Sequence, residues 1–394
     1  MSHYLDHAST TPMRASAVSA MSEALTRTGN ASSLHTSGRA ARRVVEESRE
    51  QVAAGLGARP SEVVFTSGGT EADNLALWGT FAARRDADPQ RDRLVVSGVE
   101  HHAVLDTVDF LVEHEGARVT WVPPDGDGVV TPDAVRRAVD ADAGSVALIS
   151  VMWANNEVGT VQDVESIAQV AHAHGIPLHS DAVQAVGHLP VDVAASGVDL
   201  LSVSAHKLGG PVGVGALVLK RDAALVPLSH GGGQERGVRS GTLDAAAIRA
   251  FAVALTESVA EVDTEAERLG ALRDRLVESA VALGGGIRPG GFWRAGDLSR
   301  RLPGNAHLLV PGCEGDSLLY LLDAAGVECS TGSACQAGVP QPSHVLLAMG
   351  LSADEARGAL RVTLGRTTDD DDVDAFLAAL PAALERARRA AGLR

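Results

Sequence analysis

From residue 62 to residue 220 the chain alternates short apolar runs with longer segments of helical spacing, and this alternation limits the fold more than any other feature. "EVVFTS" reads as a buried strand and "TEADNLALWGTFAARR" as the helix after it. "RLVVSG" precedes "HAVLDTVDFLVEHEG", in which Val104, Val108, Leu111 and Val112 recur at helical spacing. "SVALISVMW" precedes a loop and the helix "VESIAQVAHAHG", and "IPLHSDA", "LLSVSA" and "GALVLK" follow as strands. Strands alternating with helices predict an α/β fold whose mostly parallel sheet is covered on both faces. Ligands of such sheets lie outside the carboxyl ends of the strands. Upstream, residues 14–57 read as helix interrupted by "TGNASSLHTSG". Beyond about residue 250 the pattern changes to a long helix, "EVDTEAERLGALRDRLVESAVAL", and then mixed strands and helices. Ser352 and Glu355 fit a capping box there, and the strand "ALRVTLG" ends near Arg361. The expected division is a large domain at 15–255 and a smaller α+β C-terminal domain at 256–394, with residues 1–14 packing beside the latter.

Charge and cysteine content narrow the functions. With 34 basic and 50 acidic residues the formal charge is −16, which argues against direct binding of nucleic acid through its phosphates. Only 3% of residues are aromatic, so the core must be built from Ala, Val and Leu. "MSHYLDHASTTP" lacks the basic start and apolar stretch of a signal peptide, and no apolar run approaches the roughly 18 residues of a membrane helix. Cys313, Cys329 and Cys335 are odd in number and have no CxxC spacing, which disfavours a disulfide framework or a metal site. The expectation is a soluble cytoplasmic protein with no membrane partner.

Three polar stretches stand at predicted strand ends. In "TSGGTEADN", Gly69 and Thr70 open a helix whose free N–H groups suit an anion. In "LHSDAVQAVG", Asp181 follows an apolar strand, with Gln184 three residues on, and a carboxylate there can hold a cationic ring nitrogen. In "SVSAHKLGGP", Ser204, His206 and Lys207 end another strand before a forced turn. Burial and neighbouring dipoles can lower a lysine pKa enough for its amine to attack a carbonyl. Singly these stretches read as a glycine turn, a loop cap and a solvated charge. Together they supply a phosphate cradle, an acid for a pyridinium and a carbonyl-reactive lysine, which is what pyridoxal 5'-phosphate requires.

With "YLDHASTTP", "EHHAVLD", "ANNEVGT", "HGGGQERGVRSGT", "CSTGSAC" and "RVTLGR" added in order, the chain resembles the cysteine desulfurases of the IscS/NifS type over nearly its whole length. It is most similar to the actinobacterial housekeeping form. These are pyridoxal-phosphate enzymes of fold type I in the class V aminotransferase superfamily. The resemblance implies that Lys207 bonds the cofactor and later moves protons at the substrate α-carbon. It gives Asp181 to the pyridinium nitrogen, His101 to stacking and proton relay, and Gln184 to the phenolic oxygen. Gly69, Thr70, Ser204, Ala205 and His206 would hold the phosphate, joined by Thr242 from the other subunit of a homodimer. Asn155 and Arg361 would orient L-cysteine, Asn155 also touching the cofactor. His102 and Asn156 have no matched role. Ser9, Ala205 and Val212 depart from the usual alanine, glycine and lysine.

The same resemblance makes Cys335 the nucleophile, leaves Cys329 structural and gives Cys313 no role. It implies cleavage of the Cβ–S bond of L-cysteine to yield alanine and a Cys335 persulfide. Sulfur-acceptor proteins, an iron–sulfur scaffold or a tRNA thiolase, would take the sulfur, and Cys335 would serve transiently as an iron–sulfur ligand. The alternative is an aminotransferase or C–S lyase of the same fold with no persulfide step. A sulfur-scaffold protein with a vestigial site is disfavoured by the intact lysine, acid and cysteine.

Overall fold

The structure is a computed structural model that describes residues 2–332 and 342–392. After a two-residue strand β1 (His3–Tyr4) come helices α1 (Ala15–Leu25) and α2 (Thr36–Gly55). The alternation then runs β2 (Val63–Thr66), α3 (Gly69–Ala87), β3 (Arg93–Ser97), α4 (His102–Glu115), β4 (Arg118–Val122), α5 (Pro132–Asp140) and β5 (Val146–Ser150). It continues with α6 (Val164–Ala173), β6 (Leu178–Asp181), α7 (Val193–Ser196), β7 (Leu200–Ser204) and β8 (Gly215–Leu219). Helix α8 (Ala245–Ala282) leads to β9 (Arg288–Pro289), β10 (Asn305–Leu309), α9 (Gly315–Asp323) and β11 (Val327–Glu328). The remainder is α10 (His344–Ala348), α11 (Ala353–Arg357), β12 (Ala359–Thr363) and α12 (Asp370–Ala390).

Seven strands form one sheet in the order β2-β8-β7-β6-β5-β3-β4. Only β8 runs against its neighbours; the other pairings are parallel. Every residue of β2, β3 and β5 to β8 is buried, as a sheet covered by helices on both faces demands. The edge strand β4 is half exposed, and its mixed sequence "RVTWV" carries too weak an apolar signal to be picked out from sequence. Because the parallel strands share a direction, their carboxyl ends open on one edge of the sheet. The loops after Thr66, Ser97, Ser150, Asp181 and Ser204 therefore converge there.

Helix α8 starts sixteen residues earlier than its charged, periodic stretch suggests. Ala246, Ala250 and Ala254 are buried there, and so many small apolar residues hide the helical period. Asp244 caps it by accepting the Ala246 and Ala247 N–H groups. The expected division at 255/256 falls within this helix. Its C-terminal half packs with β10, β12 and α12 in a second apolar cluster, which Leu5 joins from the N-terminal segment. The capping box at Ser352 and Glu355 forms as expected.

The glycine-rich stretch at 230–242 is tied to the large sheet's helices by Arg239, which pairs with Glu71 at 2.8 Å, and more deeply by Glu235. Glu235 lies almost fully buried between α2 and β2, where Arg49 donates through both terminal nitrogens at 2.6 and 2.7 Å. The Phe65 N–H donates to the same carboxylate at 2.8 Å. Removing one member of a buried pair leaves the other charge uncompensated, at about 3–5 kcal/mol. Glu235→Ala is expected to lower the urea unfolding midpoint accordingly; an unchanged midpoint would show that the contact does not hold the stretch.

Candidate functional site

At the converging strand ends lies a cavity of about 420 Å³. Gly69, Thr70, His101, Asp181, Gln184, Ser204, His206, Lys207 and Arg361 all line it, so most of the sequence-selected residues meet in one place. Lys207 ends a short 3-10 turn that begins at Ala205, directly after β7. Its amine donates to the Ala8 carbonyl and, at 2.8 Å, to that of Ser9. Burial pushes the Lys207 ammonium down to about 8, and the nearby Arg361 charge adds to the effect. A nucleophilic amine is thus accessible near neutral pH. Gln184 donates to the same Ala8 carbonyl at 2.9 Å, so the N-terminal segment forms one wall.

Asp181 is buried, and its Oδ1 accepts the Val183 N–H at 2.8 Å. Burial pushes it up to about 7, with the carboxyl of Asp73 acting in the same direction. Asp73, on the first turns of α3, is likewise pushed up to about 7 by burial, and its Oδ1 has no partner. Beneath them His179 sits between Ser150 and Ser202 at 2.9 and 3.0 Å. Burial holds this imidazole at about 4, so its 3.5 Å approach to Asp73 is not an ion pair at neutral pH. Glu100 is fully buried, takes the Met152 N–H at 2.6 Å and has one oxygen unpartnered. Sequence reasoning passed over these three. His179 lies two residues before Asp181 on the same strand face, and Asp73 one helical turn after Thr70, so both periodicities pointed to them.

Arg361, on β12, donates at 2.8 Å to Asp6, at 2.9 Å to the Ser9 hydroxyl and at 3.0 Å to the Asn156 carbonyl. Its Nε is buried and has no hydrogen-bond partner among the described residues. Ser9, an unexplained departure in sequence, thus helps to orient the guanidinium. Asn155 does not line the cavity. It is fully buried and braces a turn, donating to the Val99 carbonyl and accepting the Glu157 and Val158 N–H groups, all at 2.9 Å. Asn156 and His102, which had no matched role, do line it. Thr242 is exposed and apart from the cavity in this chain. Cys335 lies outside the described residues. Cys329 is buried, and burial pushes its thiol up to about 12; Cys313 is also buried, with its thiol pushed up.

The residues fit pyridoxal phosphate. A side chain on Gly69 would strike Val183 at 2.7 Å, so only a bare backbone leaves the cradle open. The first N–H groups of α3 have no intrahelical acceptor, and the Ser204 hydroxyl and His206 ring stand by. Buried Asp181 has no direct cationic partner in the described structure, which a pyridinium N–H would supply. His101, held near 4 mainly by burial, offers a neutral aromatic face.

A profile of the family described as aminotransferase class-V matches residues 3–376. The chain is 58% identical over 388 residues to the IscS-like cysteine desulfurase of Mycobacterium tuberculosis, with 98% of each chain covered. It is 42% identical over 386 residues to the cysteine desulfurase IscS of Dictyoglomus turgidum, covering 98% of this chain and 95% of that one. Among solved structures, a NifS-like protein superposes with a TM-score of 0.88 at 34% identity, covering 98% of this chain and 100% of the other. The chain therefore belongs to the aminotransferase class-V family, among its pyridoxal-phosphate-dependent cysteine desulfurases.

Proposed function

We propose that the chain removes sulfur from L-cysteine as a persulfide on Cys335 and releases L-alanine. One observation carries the assignment of roles: the Lys207 amine, the Asp181 carboxyl and the Arg361 guanidinium face the same cavity. When bound, pyridoxal phosphate supplies a carbonyl for the substrate amine and a ring that withdraws electrons from the α-carbon. Arg361 would orient the substrate carboxylate, its guanidinium held in place by Asp6, the Ser9 hydroxyl and the Asn156 carbonyl. Lys207 would hold the cofactor through its amine and, as a free amine, would take the substrate α-proton and deliver it where alanine needs it. Asp181 would keep the ring nitrogen protonated, and His101 would offer its face to the ring. Gly69, Thr70, Ser204, Ala205 and His206 would hold the phosphate, and Gln184 would meet the phenolic oxygen. Asn155 acts by bracing the turn that carries Asn156 and Glu157. The Cys335 thiolate attacks the substrate sulfur; the new S–S bond forms as the Cβ–S bond breaks.

The working unit in this reading is a homodimer in which the partner subunit's Thr242 completes the phosphate site. A second cavity of about 800 Å³ adjoins the first through Thr70, His101 and His102 and is edged by Trp78, Phe110 and Leu228. Phe110 and Leu228 are exposed, and apolar surface beside a site supports cover by another copy. Among the described residues no helix is long and apolar enough to cross a membrane. The acceptors are an iron–sulfur scaffold protein or a tRNA-thiolating enzyme, by family resemblance.

The depressed Lys207 pKa has a defined signature. Its amine is reactive only when neutral, so cofactor uptake by the apo-protein should rise about tenfold per pH unit and level off above about 8. A rate independent of pH from 6 to 9 would contradict this. Asp181→Asn should keep the fold and lower turnover roughly 10²-fold; a normal rate with cysteine would show that another group stabilises the ring charge. Cys335→Ser should still give cofactor spectral shifts with cysteine but accumulate no persulfide. Extra sulfur on Cys329, with full activity in that variant, would overturn the nucleophile assignment.

A further inference from the structure

Arg361 meets three neighbours through two of its nitrogens. Nη1 donates to the Asn156 carbonyl at 3.0 Å, and Nη2 donates to Asp6 Oδ1 at 2.8 Å and to the Ser9 hydroxyl at 2.9 Å. Nη2 carries two hydrogens and already faces two acceptors, so it has none to spare. A guanidinium can pair bidentately with a carboxylate along two edges, Nη1 with Nη2 or Nε with Nη2, and both use Nη2. A substrate carboxylate can therefore take two parallel hydrogen bonds from Arg361 only where Asp6 or Ser9 gives way.

The two acceptors differ in what release costs. Asp6 is an anion, and the side chains of this pair are only 20% and 5% exposed. Charge-assisted bonds are roughly twice as strong as neutral ones. Parting this one would also leave the Asp6 carboxylate beside a second group of like charge. Ser9 is neutral and exposed, at the edge of the cavity. Its backbone is fixed, because its N–H donates to the Asp6 carbonyl at 3.0 Å and its carbonyl accepts the Lys207 amine at 2.8 Å. The hydroxyl can thus leave by rotation about χ1 alone, and water replaces the guanidinium as its partner. Asp6 and Asn156 still aim the guanidinium after it has gone.

We propose that the Ser9 hydroxyl stands in for a substrate carboxylate oxygen: it holds Nη2 of Arg361, yields that N–H to an incoming amino acid, and so sets how tightly this chain takes amines that carry a carboxylate. This rests on the reading of Arg361 as the partner of the substrate carboxylate. An internal acceptor that must be displaced weakens binding by the net worth of the contact given up, which for one hydrogen bond is a factor of about 3–10. The penalty is selective, because a ligand without a carboxylate never requires Ser9 to move.

The test is a titration of the holoenzyme followed by cofactor absorbance, in a Cys335→Ser background so that bound cysteine keeps its sulfur. The probes are L-cysteine and cysteamine, which has the same amine and thiol but no carboxylate. Ser9→Ala should bind L-cysteine about 3–10-fold more tightly than its parent and cysteamine within about twofold of it. In an Arg361→Gln background, Ser9→Ala should leave L-cysteine binding within about twofold, because the contact it removes is already gone. Unchanged or weaker binding of L-cysteine by Ser9→Ala overturns the stand-in. So does an equal gain for cysteamine, which would place the effect at Lys207 and not at Arg361. L-cysteine bound as tightly by Arg361→Gln as by its parent would instead overturn the carboxylate role of Arg361, whatever Ser9→Ala does.

Discussion

A lysine amine enclosed by protein loses much of the hydration that favours its ammonium form, and that cost sets the conditions for the rest of this site. Lys207 is held where β7 ends, between the Ala8 and Ser9 carbonyls and within reach of the Arg361 charge. Placing it there needs the sheet to deliver β6 and β7 side by side, so that Asp181 and Lys207 open on one cavity. It also needs the first residues of the chain to return across the strand ends, which β1 secures by pairing with β11. The contrast is Lys220, the chain's one other lysine, which lies half buried on the Gly197 carbonyl, 3.8 Å from Asp199.

Charge balance beneath the cavity follows the same logic. Asp73, Glu100 and Asp181 are three buried carboxyls with no guanidinium or ammonium bonded to any of them among the described residues. Burying an unpaired carboxylate is costly, so these groups hold protons far above the usual carboxylate range. Asp73 and Asp181 both line the cavity, so a cation bound there would relieve these two carboxyls. The uncharged His179 between two hydroxyls fixes the floor without adding a competing positive charge.

Much of this was legible in the sequence because the signals are local. Buried strands such as "VALIS" announce themselves as apolar runs, and the residues that follow them inherit the strand-end position. What stayed hidden depends on contacts between distant segments. Asp6 and Ser9 meet Arg361 across some 350 residues of chain, and Glu157 meets Ser343 across 186. No periodicity encodes such pairs. Asn155 and Asn156 show the limit of motif reading: adjacent and identical, they part only when the turn folds, with Asn155 facing the core and Asn156 the cavity.

The central claim is that Lys207, made nucleophilic by burial, is the group that holds the cofactor. Because the chain has just two lysines, one measurement separates them. The protein loaded with pyridoxal phosphate is reduced with borohydride, digested and mapped by mass spectrometry. A single cofactor mass on the peptide carrying Lys207, with none on the peptide carrying Lys220, is the expected result; label on Lys220, or undiminished labelling of Lys207→Arg, would contradict it.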